Sequence, residues 1–242
     1  MILVVANPKG GVGKTLTSTN VAAIAASEGI EVELIDTDIK GGTRGWLQIR
    51  NRDKVEPFIP LKSGIDNPVA ELLHEATKYD LVVVDIGAQS HKETIQIASV
   101  ADIILVPTGP DQLELDTTVT LLEDFRAQDS KHRSGKFPVY VVLNQLPTGA
   151  NSKEEQALRE FLASENIEVF DAGLKHRTSW RNSRRAGMAV HEMTGREKDK
   201  KAAAEMRAVY DEMVRRATES AEAPSSEALS PVTNVPQVEA AV

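Results

Sequence analysis

The sequence predicts an α/β fold, a doubly wound and mostly parallel sheet flanked by helices on both faces. Aliphatic runs without polar alternation, typical of strands buried on both faces, occupy 2–6, 31–35, 81–84, 102–106 and 138–143. Helical patterns lie between these runs, near 15–28, 67–77, 91–100, 112–128 and 152–164. Because strands and helices alternate, each crossover returns the chain to a parallel neighbour and covers one face of the sheet.

The turn after the first strand carries the most specific motif of the chain. It opens the first predicted helix and reads Pro8-Lys9-Gly10-Gly11-Val12-Gly13-Lys14-Thr15. Glycines let backbone N–H groups close on phosphate oxygens, and the start of a helix adds partial positive charge. Lys14 is placed to reach β- and γ-phosphates, and Thr15 to put its hydroxyl on Mg²⁺. The motif therefore predicts a site for a nucleoside triphosphate.

A second lysine, Lys9, distinguishes this motif from the common pattern G-x-x-x-x-G-K-[ST], whose first glycine is replaced here by Pro8. The motif resembles K-G-G-x-G-K-[ST], the signature of the deviant P-loop (deviant Walker A) ATPases of the ParA/MinD family. That resemblance implies ATPase activity with ATP and Mg²⁺ as cofactors. It implies nucleotide contacts from Lys9, Gly10, Gly11, Val12, Gly13, Lys14, Thr15 and Leu16. It also implies a homodimer in the ATP state, since the extra lysine contacts phosphates held by the partner subunit in this family. The alternative is that Lys9 is a solvated loop lysine.

Acidic residues follow two other predicted strands, at the edge where open α/β sheets bind ligands. The second strand ends in Asp36-Thr37-Asp38, and the third ends in Asp85. The family resemblance implies that Asp38 orients or deprotonates the attacking water, so that the catalytic residues are Lys9, Lys14 and Asp38. An alternative is that Asp36 and Asp38 cap the next helix. Ile39-Lys40 stands where partition ATPases usually have Pro-Gln.

The same resemblance assigns a Mg²⁺ site and an adenine contact. Asp85 is expected to hold a Mg²⁺-bound water, with Thr15 and Asp36 completing the metal-binding residues. Asn144 ends a later strand, and in relatives an asparagine there reads the adenine edge, because a carboxamide both donates and accepts. Asparagine also ends strands for reasons of turn geometry alone. Trp46 and Arg50 repeat the W-x-x-x-R spacing of the small partition ATPases.

Charge is distributed unevenly along the 242 residues, whose net charge is −8. Residues 175–216 carry 12 Lys and Arg against 6 Asp and Glu, so a basic segment lies within an acidic chain. Arginines cluster in this segment, three of them at helical spacing, and we expect them to bind DNA phosphates without sequence preference: Arg177, Arg181, Arg184 and Arg185. The alternative is a solvated helix whose charges are balanced by the acidic body.

Composition and pattern exclude several classes of protein. The chain has no cysteine, which excludes disulfides and cysteine-ligated metal or iron–sulfur sites. No apolar run approaches the roughly eighteen residues of a spanning helix, so we expect a cytoplasmic protein without a membrane partner. After Phe170 the pattern is helical only, and Met206, Val209, Tyr210, Met213 and Val214 form one apolar stripe. We expect a single ATPase domain over 1–218, followed by a flexible acidic tail over 219–242.

Within the family, the resemblance points to the small ParA-type ATPases. The acidic, proline-containing end differs from the basic amphipathic helix of membrane-positioned MinD-type regulators. The expected function is to dimerise on ATP, bind DNA non-specifically and hydrolyse ATP, and thereby to segregate or position plasmid, chromosome or other cargo. The expected partner is a ParB-like or adaptor protein that stimulates hydrolysis, and the ATP-bound form is expected on the nucleoid. The alternative is a slowly hydrolysing, ATP-dependent scaffold that recruits a protein partner or a DNA-transfer complex.

Overall fold

A parallel sheet forms the centre of the computed structural model, which describes residues 1–38, 41–87, 91–149 and 152–222. Within these residues the sheet has seven strands in the order β3-β2-β4-β1-β5-β6-β7, and every pairing is parallel. The strands are β1 (Ile2–Val5), β2 (Val32–Asp36), β3 (Leu61–Ser63), β4 (Leu81–Asp85), β5 (Ile103–Thr108), β6 (Val139–Leu146) and β7 (Val169–Lys175). The predicted fold class is confirmed.

Helices cover both faces of this sheet. They are α1 (Lys14–Ser27), α2 (Gly42–Arg52), α3 (Pro68–Glu75), α4 (His91–Ala98), α5 (Gln112–Ala127), α6 (Lys153–Ser164), α7 (Ser179–Arg185) and α8 (Lys200–Glu222). Alternate residues of one strand enter different cores, because successive side chains point to opposite faces. Leu3 and Val5 pack with residues of α1, α2 and α8, whereas Ile2 and Val4 pack with residues of α3 to α6.

Three elements were missed by the sequence patterns, namely β3, β7 and α2. The expectation that the chain is only helical after Phe170 is wrong, because that residue belongs to β7. Both missed strands are at the edges of the sheet. An edge strand has one open side, so it does not need a continuous aliphatic run, and Asp171 interrupts β7. The backbone N–H groups of Asp171 and Ala172 donate to the carboxylate of Glu212 on α8, at 3.0 and 2.9 Å.

The last helix, α8, packs on the sheet through the predicted apolar stripe. Met206, Val209, Tyr210 and Met213 are buried, while Val214 is 38% exposed and lies outside the core. The helix continues to Glu222, beyond the predicted domain end at residue 218. Residues 223–242, most of the predicted tail, lie outside the described residues, and the domain division stays a prediction. No helix in the described part of the chain is long and apolar enough to cross a membrane.

Candidate functional site

Strand register brings the motifs of the sequence together at one edge of the sheet. Asp36 at the end of β2 pairs with Asp85 at the end of β4, and Asp85 pairs with Val5 at the end of β1. The loop that follows β1 contains Lys9 and leads into α1. The carboxyl ends of parallel strands form the ligand-binding edge of such a sheet. The phosphate-binding motif and two of its predicted acidic partners therefore lie side by side.

The loop between β1 and α1 is held by its own hydrogen bonds. The side chain of Asn7 accepts from the backbone N–H of Lys9 at 2.9 Å, and the ammonium of Lys14 donates to the carbonyl of Lys9 at 2.9 Å. Burial lowers the pKa of Lys14, and the nearby charges of Asp85 and Asp38 oppose that shift. A desolvated ammonium at the start of a helix gains strongly from an anionic ligand. The loop is thus arranged to bind phosphate.

Asp85 lies at the centre of a cluster of hydroxyl groups. Its Oδ2 accepts hydrogen bonds from Thr15 at 2.8 Å and from Thr43 at 2.6 Å, and its Oδ1 accepts from Ser18 at 3.2 Å. Burial raises the pKa of Asp85, and the three hydroxyl donors oppose that rise. A hydroxyl and a carboxylate at this spacing are hard oxygen ligands of the kind that Mg²⁺ takes beside substrate phosphates. The residues present fit a Mg²⁺ ion held by Thr15 and, through water, by Asp85.

Asp36 accepts hydrogen bonds from two backbone N–H groups. One of its carboxylate oxygens accepts from the backbone N–H of Asp38 at 3.0 Å, and the other accepts from that of Arg44 at 3.2 Å. The side chain is buried, and burial raises its pKa. Both oxygens are therefore used to hold the segment between β2 and α2. The arrangement favours the capping alternative for Asp36 over a direct role at the metal.

Asp38 is half-buried and lies against Gly87, just after β4. A Cβ atom on Gly87 would lie 2.3 Å from the Cβ of Asp38, so any side chain at position 87 would displace the aspartate. The N–H of Gly87 donates to the hydroxyl of Thr37 at 3.0 Å. Asp38 thus lies in the segment that follows β2, in contact with the segment that follows β4. Its charge raises the pKa of Lys14. Ile39 and Lys40, which replace the family's Pro-Gln, lie outside the described residues.

Asn144 braces the phosphate-binding loop. Its side-chain amide donates to the carbonyl of Val12 at 2.7 Å and accepts from the backbone N–H of Gln145 at 2.8 Å. The neighbouring Gln145 side chain donates to the carbonyl of Gly11 at 3.0 Å. The amide nitrogen and the amide oxygen of Asn144 each use one hydrogen bond within the protein and retain one donor and one acceptor. The adenine contact stays a prediction.

A cleft of about 440 Å³ opens beside the loop. Its lining combines the start of α1, the end of β6 and the segment from β7 through α7: Gly11, Gly13, Lys14, Thr15, Leu16, Gly42, Asn144, Gln145, Lys175, His176, Arg177, Trp180, Arg181 and Arg184. Most of the predicted nucleotide-binding residues thus share one cavity. Among the described residues, no group of three or more His, Cys, Asp or Glu side chains is arranged to hold a metal ion.

The predicted DNA-binding arginines differ in their surroundings. Arg177 is paired with Glu205 at 2.5 Å and is largely buried. Arg181, Arg184 and Arg185 are exposed, and of these Arg181 and Arg184 line the cleft together with Arg177, whereas Arg185 is not part of its lining. The pair with Glu205 neutralises one of the four charges. Three of the four residues therefore face the nucleotide cleft, a placement that helical spacing alone did not predict.

Helix α2 makes two sets of contacts that the sequence patterns did not predict. Thr43, which is fully buried, joins the start of α2 to Asp85. Arg50, also fully buried, donates to Glu192 at 2.7 and 2.8 Å and to the carbonyls of Pro57 and Gly187, while the Trp46 indole donates to the carbonyl of Met188 at 3.1 Å. The W-x-x-x-R spacing was a signal for the second set. Apart from Pro57, its partners lie 137 to 142 residues away in the sequence and are set by the fold.

Known proteins are similar to this chain in sequence and in architecture. Residues 3–228 match the family model described as the CobQ/CobB/MinD/ParA nucleotide binding domain. "Maintenance of carboxysome distribution protein A" of Halothiobacillus neapolitanus is 28% identical over 213 residues, which cover 88% of this chain and 95% of that protein.

Two solved structures share the fold. The apo McdA of Cyanothece superposes with a TM-score of 0.65 and 16% identity, covering 86% of this chain and 98% of that one. A plasmid partition protein of Borrelia burgdorferi bound to AMPPNP superposes with a TM-score of 0.64 and 15% identity, covering 89% and 99%. The family match extends over nearly the whole described part of the chain, from β1 to α8. The chain belongs to the CobQ/CobB/MinD/ParA family of nucleotide-binding domains.

Proposed function

We propose that this protein is a ParA-type ATPase that dimerises on binding ATP, binds DNA without sequence preference and hydrolyses ATP to position a cargo. The observation that carries the proposal is the convergence of Lys14, Thr15, Asp38 and Asp85 beside the loop that holds Lys9. Lys14 binds the terminal phosphates and Asp38 orients the attacking water. Thr15 and Asp85 would hold Mg²⁺, which would supply positive charge beside the phosphates. Relatedness to a carboxysome-distribution protein supports a positioning role.

Dimerisation is proposed to depend on Lys9. Its backbone is held by Asn7, while its side chain makes no hydrogen bond or ion pair with any residue that the structure describes. An ammonium held at the rim of a phosphate site is available to phosphates of a second subunit. ATP bound between two subunits favours the dimer by mass action, because it binds that state more tightly than the monomer.

DNA binding is proposed to involve the exposed arginines of α7. Arg185 is the clearest candidate, since it is exposed and lies outside the cleft lining. Such contacts are electrostatic, so log affinity should fall linearly with log salt concentration. We propose in addition that a ParB-like or adaptor protein stimulates hydrolysis and that the ATP-bound form associates with the nucleoid in the cytoplasm.

A slowly hydrolysing scaffold that recruits a protein partner is the second candidate. It is favoured by the pairing of Arg177 with Glu205 and by the position of Arg181 and Arg184 in the cleft lining, where a nucleotide competes with DNA for their charges. ATP hydrolysis measured with and without duplex DNA separates the two functions. DNA binding by the ATP-loaded protein and stimulation by DNA support the positioning ATPase. ATP binding with no DNA affinity supports the scaffold.

A further inference from the structure

Arg184, on the last turn of α7, lies at the phosphate end of the cleft. It shares the lining with Lys14 and Thr15. A Cβ atom on Gly42, the first residue of α2, would lie 2.7 Å from Nη2 of Arg184 and 3.4 Å from the hydroxyl of Thr15. The guanidinium of Arg184 and the hydroxyl of Thr15 therefore both lie close to Gly42. Glycine at position 42 leaves the space that this approach requires.

The charge of Arg184 is not neutralised by any residue that the structure describes, because its side chain makes no hydrogen bond or ion pair with them. Arg177, which lies just before α7, is instead paired with Glu205. A guanidinium offers a planar fork of donors that matches the oxygens of a phosphate. An unpaired guanidinium beside the phosphate-binding loop adds a second cation to that of Lys14. The chemistry of the site thus calls for an anionic ligand with several oxygens.

The backbone of α7 and of the residues that follow it packs against α2. Trp180 and Ser183 are buried on the inner face of α7. After the helix, the carbonyl of Gly187 accepts from Arg50 at 3.3 Å, and a Cβ atom on Gly187 would lie 2.4 Å from the backbone nitrogen of Arg50. These contacts fix α7 relative to the start of α2, where Gly42 lies. Arg184 is therefore presented to the cleft by a rigid support.

We propose that Arg184 binds the phosphate chain of the bound nucleotide, so that α7 forms part of the nucleotide site of its own subunit. The proposal rests on the nucleotide binding proposed above and departs from the expectation that Arg184 contacts DNA. Phosphate is the ligand in both cases, and its source is what the experiment distinguishes. The position beside Thr15 favours the nucleotide, because Thr15 belongs to the phosphate-binding loop.

The test is the affinity for fluorescent ATP and ADP analogues, titrated with Mg²⁺ and without DNA. Arg184→Ala should weaken both roughly tenfold or more, since a charge-assisted hydrogen bond is lost. Arg184→Lys should restore only part of the affinity, because an ammonium lacks the fork. Arg196→Ala removes a charge from an exposed arginine away from the cleft and should bind like the parent. Arg184 is exposed and unpaired, so the melting temperature should not change.

A second titration, of DNA by protein saturated with nucleotide, identifies the source of the phosphate. Under saturation Arg184→Ala should bind DNA like the parent, while Arg185→Ala should bind it more weakly. If Arg184→Ala keeps the parent's affinity for ATP and ADP, the proposal is overturned, whether or not DNA binding falls. If the parent itself binds no nucleotide, the proposed function fails together with this inference.

Discussion

The hydroxyl of Thr43 donates a 2.6 Å hydrogen bond to Oδ2 of Asp85, the same oxygen that accepts from Thr15. Thr43 is fully buried in the first turn of α2, which follows the segment that contains Asp38 in the sequence. The bond ties that segment to the residues proposed to hold Mg²⁺. The orientation of the carboxylate and the position of α2 are therefore set together.

Thr43→Val should impair the use of Mg²⁺ while leaving the fold intact. Valine has nearly the shape of threonine but no donor, so Asp85 loses one of its three hydroxyl partners. Loss of a hydrogen bond to a charged group predicts a roughly tenfold rise in the Mg²⁺ concentration that supports half-maximal hydrolysis. Thr43→Ser retains the donor and should behave like the parent. Equal Mg²⁺ dependence in the valine variant would show that Thr43 only packs.

Asp85→Asn should separate stability from function. Burial raises the pKa of Asp85, so its contribution to stability is present below the unfolded-state pKa and is lost as the pH rises through the folded-state pKa. Above the folded-state pKa the buried charge opposes folding, and its removal should raise the melting temperature of the nucleotide-free protein. The gain should shrink as the pH falls. Thermal unfolding across a pH series measures this, and a gain that stays constant or grows on acidification would contradict it.

The same variant should lose the response to Mg²⁺. Addition of Mg²⁺ with an ATP analogue should raise the melting temperature of the parent, because ligands that bind the native state stabilise it. Asp85→Asn should show a much smaller increase. A full increase in the variant would remove Asp85 from the metal site.

Arg50→Ala should strongly destabilise the protein, although Arg50 touches no predicted ligand. It would leave Glu192, whose side chain is 11% exposed, without the bidentate partner that neutralises it. Breaking such a buried pair costs about 3–5 kcal/mol of the free energy of unfolding. Arg52→Ala, on the same helix but exposed, should leave that free energy unchanged. Denaturant unfolding compares the two, and equal midpoints would show that the pair is not structurally important.

Asp38→Ala should slow hydrolysis and spare ATP binding. Loss of a group that orients or deprotonates the attacking water lowers turnover about 100-fold or more, while the contacts of Lys14 and Thr15 to the nucleotide remain. Turnover and ATP affinity measured on one preparation separate these effects. A variant with the turnover of the parent would place the chemistry elsewhere, near the unusual Ile39-Lys40 segment.

The central strands were predictable because continuous aliphatic runs report their burial directly, and the loop after β1 was predictable from its glycine and lysine motif. β1, β4 and β5 are buried on both faces and therefore read as continuous aliphatic runs. The edge strands β3 and β7 lack that signal. Thr43 and the pair Arg50–Glu192 were not predictable as contacts, because their partners are distant in sequence and meet only through packing. The role of Asp36 at the metal stays a prediction, since a carboxylate after a strand serves a loop as well as a metal.

Sedimentation velocity of the parent and of Lys9→Ala, with and without a non-hydrolysable ATP analogue, measures whether Lys9 couples ATP binding to dimerisation. We expect the analogue to convert the parent from monomer to dimer. Lys9→Ala should still bind the analogue but stay monomeric, because the contact of Lys9 to the partner's phosphates exists only in the dimer. If the variant forms an analogue-dependent dimer of equal affinity, or if the parent stays monomeric with the analogue, Lys9 does not link ATP binding to dimerisation.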